Sequence, residues 1–569
     1  MTTSELRAAS RPAEAAGVTP VEDNRCMLLH EVVRASAAVA ASPGRLAKIA
    51  EIARLLREVT PEEMPAAVAF LSGELTQRQI GVGYAALVDL LGPAAGGGAE
   101  LPSDLASPPA EPTLTLAEAD AAFGAIGAQA GPGSQAERRQ LLRRLLARAT
   151  ADERQFLVRL LAGDLGQGAL AGVMTEAVAA AAGVPAATVR RAHQLSGSLA
   201  LTASTALGAA AAGPAAVAAA LSDVTLQVGR AARPMLAATA PTLAAALERI
   251  SPAAVEWKID GIRIQVHRAG DDVRVFTRTL DDITARVPEI VAAARALDVT
   301  TAVLDGEAVA LHPDGRPRPF QVTSARMASR GDAGRQSEQT ALTPFLFDLL
   351  HLDGADLLDA PASERFGQLA AIAPASLVIP RIVTAELAQA QEFFRAAIAD
   401  GHEGVVVKSL TAPYGAGRRG SDWIKVKPRH TLDLVVLAAE WGHGRRQGWL
   451  SNLHLGARDL QTGGMVMLGK TFKGLTDALL AWQTTRLLEL ADPPRPAGAP
   501  GDQRGVVRVR PQLVVEIAFD GVQASSRYPG GVTLRFARVL RYREDKTPDE
   551  ADTIEAVRAL WSGGDLSPT

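Results

Sequence analysis

The spacing of apolar residues in the first part of the chain follows a helical period. In "LAKIAEIARLLREV" a single stripe contains Leu46, Ile49, Ile52, Leu55 and Leu56. Because residues three and four apart share a helix face, this spacing predicts an amphipathic helix. The period continues through "ERRQLLRRLLARAT" and "ADERQFLVRLLAGDLGQGAL" towards Leu226, with a Gly/Pro-rich connector that begins at Gly92. We predict an all-α N-terminal domain of residues 23–228 behind a flexible tail of residues 1–22.

After "RPMLA" the pattern changes to short β-branched runs. Strand alternation is present in "VEWKID", "IRIQVHR", "VRVFTR", "TTAVLDGEAVAL", "TPFLFDLL", "GVVVK" and "WIKVK", with helical spacing in "ALERI", "VPEIVAAARAL" and "AQEFFRAAIAD". This mixture predicts an α+β domain of residues 229–430. From "LDLVVLAAEW" to "TLRFARVLRYRED" short strands and glycine turns predict a small β-barrel at residues 431–569, with "ADPPRPAGAPGDQRG" as a loop. The polar connections near Val228 and His430 are the expected hinges.

Composition narrows the class of protein. A chain of 569 residues with 47% hydrophobic and 21% charged residues is typical of several globular domains. The single cysteine, Cys26, excludes an internal disulfide and a four-cysteine zinc module. The first 25 residues lack the apolar core of a signal peptide, so we expect a cytoplasmic protein. Residues 192–222 contain no Asp, Glu, Lys or Arg but are rich in alanine and interrupted by polar residues, glycine and proline, which predicts packed helices and no membrane span.

Charge gives only a local argument for nucleic acid, because the net charge is −3. One basic cluster contains Arg418, Arg419, Lys425, Lys427 and Arg429. A second contains Arg535, Arg538, Arg541, Arg543 and Lys546. Taken alone, either cluster is more often a solvated face than a phosphate-binding surface.

Lys258 is the candidate nucleophile. In "EWKIDGIR" strand alternation places Glu256, Lys258 and Asp260 on one face. A lysine between two carboxylates is usually only solvated or ion-paired. A lysine attacks only when unprotonated, so a catalytic lysine needs burial or nearby cations. In "WIKVKP", Lys425 and Lys427 share a face and could both supply that charge and hold a phosphate.

Two carboxylates, Glu307 and Glu403, and the aromatic ring of Phe347 suit the same chemistry. Glu307 in "LDGEAV" follows a predicted glycine turn, and "EGVVVK" opens a predicted strand with Glu403 and ends it with Lys408. Carboxylates suit Mg²⁺, which prefers oxygen ligands and often shares them with substrate phosphates. Phe347 in "FLFDLL" could stack on a base, although an aromatic residue on a strand is more often core.

In this order, "EWKIDGIR", "FTRTLDD", "LDGEAV", "FLFDLLHLDG", "EGVVVK" and "WIKVKP" resemble the motif series of the covalent nucleotidyltransferases, which are DNA ligases, RNA ligases and capping enzymes. The resemblance is strongest to ATP-dependent DNA ligases of the bacterial and archaeal replicative-like type, and it covers nearly the whole chain. "RLLAGDLGQGAL" resembles part of that family's helical DNA-binding domain, and "RFARVLRYREDK" resembles the last motif of its OB-fold. The implied fold is multidomain: an all-α domain, an α+β nucleotidyltransferase (ATP-grasp-like ligase) domain and a β-barrel OB-fold.

The resemblance also implies a role for each matching residue. Lys258 would become adenylylated, with Glu256 and Phe347 at the adenine. Arg263 and Arg278 would face the ribose and phosphates. Phosphates alone would be contacted by Arg419, Lys425 and Lys427. Glu307 and Glu403 would be carboxylates of the metal site, with Glu307 also holding the ribose. The last motif usually has a proline where Ala537 stands, which leaves the roles of Arg535 and Arg538 open.

The implied activity is ATP-dependent sealing of nicks in duplex DNA. Lys258 would attack the α-phosphate of ATP, pass AMP to the 5′-phosphate of a nick, and leave the 3′-hydroxyl to displace it. ATP and Mg²⁺ are the expected cofactors, and nicked duplex DNA is the expected partner of a monomer associated with the nucleoid. Such an enzyme would serve DNA replication, repair or recombination.

Three alternatives make different demands on the sequence. An RNA ligase or capping enzyme shares the lysine chemistry but generally lacks a long helical region like residues 23–226. An NAD⁺-dependent ligase would be expected to carry the excluded zinc module. A non-catalytic nucleic-acid-binding protein of this fold would have no need of Lys258, Glu307 and Glu403 together.

Overall fold

A computed structural model gives the fold of most of the chain. It describes residues 26–78, 80–83, 87, 107–168, 170–328, 333–415, 419–428, 430–443, 446–493 and 505–561. The predicted tail of residues 1–22 lies outside these ranges, as do Arg418, Arg429 and most of the two Gly/Pro-rich segments. By its contacts the chain divides into two compact units, Met1–Thr225 and Leu226–Thr569. The predicted domain boundaries at 228/229 and 430/431 stay predictions.

The first unit is helical, as its periodicity predicts. Its described α-helices are Leu29–Ala41, Arg45–Leu56, Met64–Leu71, Leu116–Gly127, Ser134–Arg148, Ala151–Ala162, Leu170–Ala182, Ala186–Ser196, Leu199–Gly208 and Pro214–Ser222. Side chains from all ten helices enter one apolar core. Ile49, Ile52, Leu55 and Leu56 are buried there, whereas Leu46, on the first turn of its helix, is 80% exposed. The apolar stripe therefore begins one turn later than predicted.

Within the described ranges no single helix is long and apolar enough to cross a membrane. One pair, Ala171–Ala182 with Ala186–Ser196, passes by length and composition together, but it is bent by 119°.

The second unit begins with two five-stranded sheets. The first sheet contains β1 (Leu236–Thr239), β2 (Ala253–Trp257), β8 (Arg381–Thr384), β9 (Val405–Ser409) and β10 (Arg419–Val426), in the order β1-β10-β9-β2-β8. The second contains β3 (Ile262–Ala269), β4 (Asp272–Thr277), β5 (Thr301–Ala310), β6 (Leu342–Leu352) and β7 (Ala355–Asp356), in the order β4-β3-β5-β6-β7. Around them the described helices are Leu243–Leu247, Pro288–Arg295, Phe320–Ala328, Ala333–Gln339, Ala362–Ile372 and Leu387–Ala399.

Two glycines allow the close strand contacts that shape this region. A methyl group on Gly261 would lie 2.4 Å from the carbonyl oxygen of Ala308, so β3 can approach β5 closely only with glycine there. Gly306 lies inside β5, where the register with β6 shifts at a bulge between Asp305 and Gly306. The predicted glycine turn before Glu307 is therefore wrong; a bulge inside the strand takes its place.

The rest of the second unit is rich in strands. They are β11 (His430–Trp441), β12 (Leu450–Arg458), β13 (Met465–Thr471), β14 (Val506–Arg508), β15 (Val514–Phe519), β16 (Gly521–Ala524), β17 (Val532–Arg535) and β18 (Arg538–Tyr542). One sheet has the order β13-β12-β11-β15-β18, with β14 on β11, while β16 and β17 pair separately. Helix Asp477–Glu489 packs into the same core, and Ile554–Ala559 is the last described helix. Among the described strands the pairing does not close into a ring, so the predicted fold class is observed without a closed barrel.

Candidate active site

The nucleophile candidate lies where two strands of the first sheet end together. Strand β2 ends at Trp257, one residue before Lys258. Two further backbone hydrogen bonds continue its pairing with the residues just before β9. Lys258 N–H donates to the carbonyl oxygen of Gly404 at 2.8 Å, and Glu403 N–H donates to that of Lys258 at 3.0 Å. The Lys258 ammonium then donates a hydrogen bond to Glu403 Oε2. Glu403 was predicted to open the strand, but it lies two residues before β9 begins.

Glu403 also binds a second lysine. Lys427 Nζ donates to Glu403 Oε1 at 2.8 Å, so the carboxylate lies between two ammonium groups. Burial alone would raise the pKa of Glu403, but Lys258 and Lys427 hold it well below its usual range. Lys427 follows the end of β10 and has a raised pKa, because Glu403 and Asp520 outweigh the opposing effect of burial. The predicted cation beside Lys258 is therefore present, with its charge balanced by carboxylates.

A second charged cluster lies around Glu256. Its Oε1 accepts from Arg381 Nε at 2.7 Å, and its Oε2 lies 2.6 Å from Lys408 Nζ. Lys408 is buried between aromatic rings, 4.4 Å from the ring centre of Phe347 and 4.1 Å from that of Trp423. Burial lowers the pKa of this lysine. Both carboxylate oxygens of Glu256 are thus already engaged.

Arg381 and Lys408 were absent from the predicted site set. The end of "EGVVVK" marks Lys408 in the sequence, because its strand position is fixed by the preceding valines. No comparable signal marks Arg381, a single arginine on the four-residue strand β8. Its placement depends on β8 pairing with β2, where Arg381 lies opposite Glu256.

Arg263 is held beneath the two aromatic rings. Its guanidinium donates to Asp305 at 3.0 and 2.6 Å, and to the carbonyl oxygen of Met235 at 2.6 Å. It lies 5.4 Å from the ring centre of Phe347 and 5.5 Å from that of Trp423. Although burial opposes it, Asp305 raises the pKa of Arg263. These contacts hold the Arg263 guanidinium in place before any ribose or phosphate binds.

Glu307 has the opposite environment. It lies on β5 opposite Arg263 of β3. Burial raises its pKa to about 7, against the smaller opposing effects of Lys258 and Arg263. It accepts no hydrogen bond from any residue that the structure describes. Glu307 is half-buried, and a carboxylate that is partly removed from water without a partner is costly, which fits a group that awaits a cation or a hydroxyl donor.

The remaining predicted residues take different positions. Arg278 follows β4 and is exposed. Lys425 is half-buried within β10, and Arg419 begins that strand with a side chain outside the described part. The ring of Phe347 packs edge-on against Trp423, with 5.9 Å between ring centres. The structure therefore gathers residues of both five-stranded sheets, namely Glu256, Lys258, Arg263, Glu307, Phe347, Glu403 and Lys427.

A residue of the predicted last motif contacts the residues around Lys258. Arg535 donates to Asp260 Oδ2 at 2.5 Å, and Asp260 is the residue two positions after Lys258. Arg538 Nη1 lies 4.0 Å from Asp520 Oδ1. Ala537 is buried, and its carbonyl oxygen accepts from Thr471 Oγ1 at 2.6 Å. The chain turns at Phe536 and Ala537, and Arg535, at the end of β17, lies against the residue two positions after Lys258.

Three family models match the chain. "DNA ligase N terminus" matches residues 28–179, "ATP dependent DNA ligase domain" matches 234–427, and "ATP dependent DNA ligase C terminal region" matches 446–546. The middle model covers every predicted catalytic and nucleotide-binding residue from Glu256 to Lys427.

Named relatives and one solved structure extend the match to almost the full length. A protein of Mycolicibacterium gilvum named probable DNA ligase is 56% identical over 541 residues, which cover 95% of this chain and 100% of the relative. One of Mycobacterium marinum with the same name is 55% identical over 538 residues, covering 94% and 100%. The solved structure of Pmar-Lig_PreS3 has a TM-score of 0.57 at 16% identity, covering 90% of this chain and 99% of that one, which supports the fold alone.

Proposed function

The chain belongs to the ATP-dependent DNA ligases, and from this premise we propose that it seals nicks in duplex DNA with Lys258 as the residue that carries AMP. The observation that supports this assignment is the position of Lys258. It lies at the end of β2, is 22% exposed, and is held by Glu403 with Lys427 on the other side of that carboxylate. A reactive amine and a phosphate-binding cation are thus fixed on one carboxylate.

In the first step Lys258 Nζ, once unprotonated, attacks the α-phosphorus of ATP. A P–N bond forms, the P–O bond to pyrophosphate breaks, and the lysine keeps AMP. Glu403 orients the amine, and Lys427 lies close enough to share in binding the phosphates.

In the second step an oxygen of the nick's 5′-phosphate attacks the same phosphorus. The P–N bond breaks and Lys258 recovers its proton. In the third step the 3′-hydroxyl attacks the 5′-phosphate, a phosphodiester bond forms, and AMP leaves. Each step therefore has a good leaving group.

The adenine is proposed to lie against Phe347. The neighbouring polar groups, Glu256, Arg381 and Lys408, are bound to one another behind that ring, and Arg381 also donates to the carbonyl oxygen of Phe347 at 3.0 Å. Such a network fixes the ring plane and offers fixed hydrogen-bonding groups at its edge.

The predicted metal ligands fit a cation that prefers oxygen. In the described part of the chain no three His, Cys, Asp or Glu side chains group closely enough to hold a metal unaided. Mg²⁺ often shares its oxygen ligands with substrate phosphates. Glu307 is half-buried and accepts no hydrogen bond within the described ranges, and Glu403 faces Lys258. We assign these two carboxylates to Mg²⁺, which would neutralise phosphate charge when bound with ATP.

The helical unit is proposed to bind the duplex around the nick. Most affinity for duplex DNA comes from phosphate contacts that carry no sequence information, so the net charge of −3 is no obstacle. The match of residues 28–179 to a DNA ligase N terminus supports this role. Action as a monomer and association with the nucleoid stay predictions.

Covalent labelling tests the central assignment. The protein is incubated with α-labelled ATP and Mg²⁺, denatured, and run on a gel. We expect label on the wild-type protein and on Lys48→Ala, which removes a lysine of the helical unit, and none on Lys258→Ala. NAD⁺ labelled in its AMP moiety should give no label. Equal labelling of Lys258→Ala would place the nucleophile elsewhere.

A further inference from the structure

Asp520 occupies a position that the proposed reaction does not explain. It lies between β15 and β16, in the β-rich region, and its N–H donates to the carbonyl oxygen of Arg535 at 3.0 Å. Its carboxylate nevertheless points at the catalytic residues. Lys427 Nζ donates to Asp520 Oδ2 at 3.2 Å, and Arg538 Nη1 lies 4.0 Å from Oδ1.

These contacts place one carboxylate between two cations that suit a phosphate. Lys427 is shared by Glu403 at 2.8 Å and Asp520 at 3.2 Å. A phosphate that bound Lys427 and Arg538 would meet the negative charge of Asp520 at short range, where like charges repel. The Asp520 side chain is 24% exposed, so this repulsion is only partly screened by water.

We propose that Asp520 is an affinity-determining residue for ATP: its carboxylate acts as an internal anion that occupies Lys427 and Arg538, and the triphosphate must displace it. This inference rests on the proposed function, because it takes ATP as the ligand. Glu403 keeps Lys427 in place when Asp520 gives way. The same ion pairs hold the β-rich region against the catalytic residues before ATP binds.

The competing view is that Asp520 merely positions Lys427. The two views predict opposite effects for Asp520→Asn, which keeps the side chain's shape and leaves an amide oxygen that can still accept from Lys427. Loss of an internal competitor should tighten ATP binding, whereas loss of a positioning contact should weaken it or slow the lysine's reaction.

The first experiment measures ATP binding at equilibrium in full-length protein. Lys258→Ala serves as the background, so that ATP is bound and not consumed. Because partly exposed ion pairs contribute little each, we expect Asp520→Asn to lower the Kd for ATP by roughly two- to fivefold. Adenosine has no phosphate, so its Kd should not change. The gain for ATP should shrink as salt is raised.

Asp549→Asn is the matched control, since it removes one negative charge from the same region and lies outside the last motif. Asp549 is exposed. Equal tightening by this control, an equal gain for adenosine, or ATP binding that is unchanged or weaker in Asp520→Asn would each overturn the inference. Thermal unfolding of every variant checks that the fold is retained.

A second measurement separates this inference from the proposed function. Self-adenylylation of the otherwise wild-type protein is followed against ATP concentration, with and without Asp520→Asn. We expect a lower KM and an undiminished maximal rate. If the wild-type protein is not adenylylated at all, the proposed function fails; if it is, and KM does not fall, only the role of Asp520 fails.

Discussion

Burial on β5 gives the Glu307 carboxyl a pKa of about 7, against 4.5 for the unperturbed group. The folded state therefore disfavours the charged form. Ionisation of Glu307 therefore lowers the free energy of unfolding. This effect is absent below pH 4.5 and complete above pH 7, so the folded state loses stability as pH rises between these values. Without a reduction for screening by solvent, a pKa shift of this size corresponds to about 3 kcal/mol in the free energy of unfolding.

We predict that Glu307→Gln raises the melting temperature at pH 8 and leaves it almost unchanged at pH 4.5. The same variant should lose most self-adenylylation at pH 8, because the amide cannot replace a carboxylate that binds a cation. Calorimetry at the two pH values, beside the labelling assay, measures both effects. A variant that is destabilised at pH 8 would contradict the assigned environment of Glu307.

Glu440 provides a control of opposite sign. Despite its partial burial, hydrogen bonds from Lys470, His454 and Asn452 lower its pKa to about 2. The ionised Glu440 carboxylate stabilises the folded state. This stabilisation is complete above the pKa of the group in the unfolded chain and disappears as pH falls towards 2. Glu440→Gln should therefore lower the melting temperature at pH 8, where Glu307→Gln raises it.

Among the elements, the adjoining ends of β2, β9 and β10 align the lysines with Glu403. Gly404 makes this possible, because its φ is 139° and a methyl group there would lie 2.3 Å from the carbonyl oxygen of Val426. Neither the dihedral angle nor the contact is compatible with a side chain. A side chain at position 404 would therefore displace Glu403, the residues that enter β9, or the end of β10.

We predict that Gly404→Ala destabilises the protein by about 3 kcal/mol or more and abolishes self-adenylylation. Gly367→Ala is the matched control: it lies on helix Ala362–Ile372 with no atom within 4 Å of the added methyl group. Helix propensity makes this control neutral or slightly stabilising. Denaturant unfolding and labelling of both variants give the comparison, and wild-type activity in Gly404→Ala would refute this account of the strand ends.

At the scale of the whole molecule, the division at Thr225 separates the helical unit from the proposed chemistry. The second unit, Leu226–Thr569, has its own apolar cores and contains every predicted nucleotide-binding residue. The chain that follows the division is tied to β3, because Gly229 N–H donates to His267 Nδ1 at 3.0 Å. A hinge near Val228 would therefore have to act before Gly229.

We predict that a protein of residues 226–569 keeps self-adenylylation within a fewfold of the full chain and loses most nick sealing. The reason is that duplex affinity grows with the number of phosphate contacts, whereas ATP chemistry is local. Labelling and sealing of a nicked duplex are measured side by side at moderate salt. Comparable sealing by both proteins would give the helical unit another role.

The sequence by itself determined the element types and the local faces. Alternation within a strand is fixed by backbone geometry, so the strands β2, β5, β6, β9 and β10 and the helical first unit could be predicted. The ordered motifs were enough to identify the family, which the comparisons confirm. The residue roles implied by that resemblance, including those of Arg278, Arg419 and Lys425, stay predictions.

Only the tertiary structure decided which charges meet. Lys258 and Glu403 are 145 residues apart, and Arg535 and Asp260 are 275 apart, so no local period relates them. The pairing of β2 with β8 placed Arg381 on Glu256, while the chain after β15 and the end of β17 carried Asp520 and Arg535 to the catalytic residues. A residue's chemistry is local, whereas its partner, its burial and hence its pKa depend on which distant segments pack beside it.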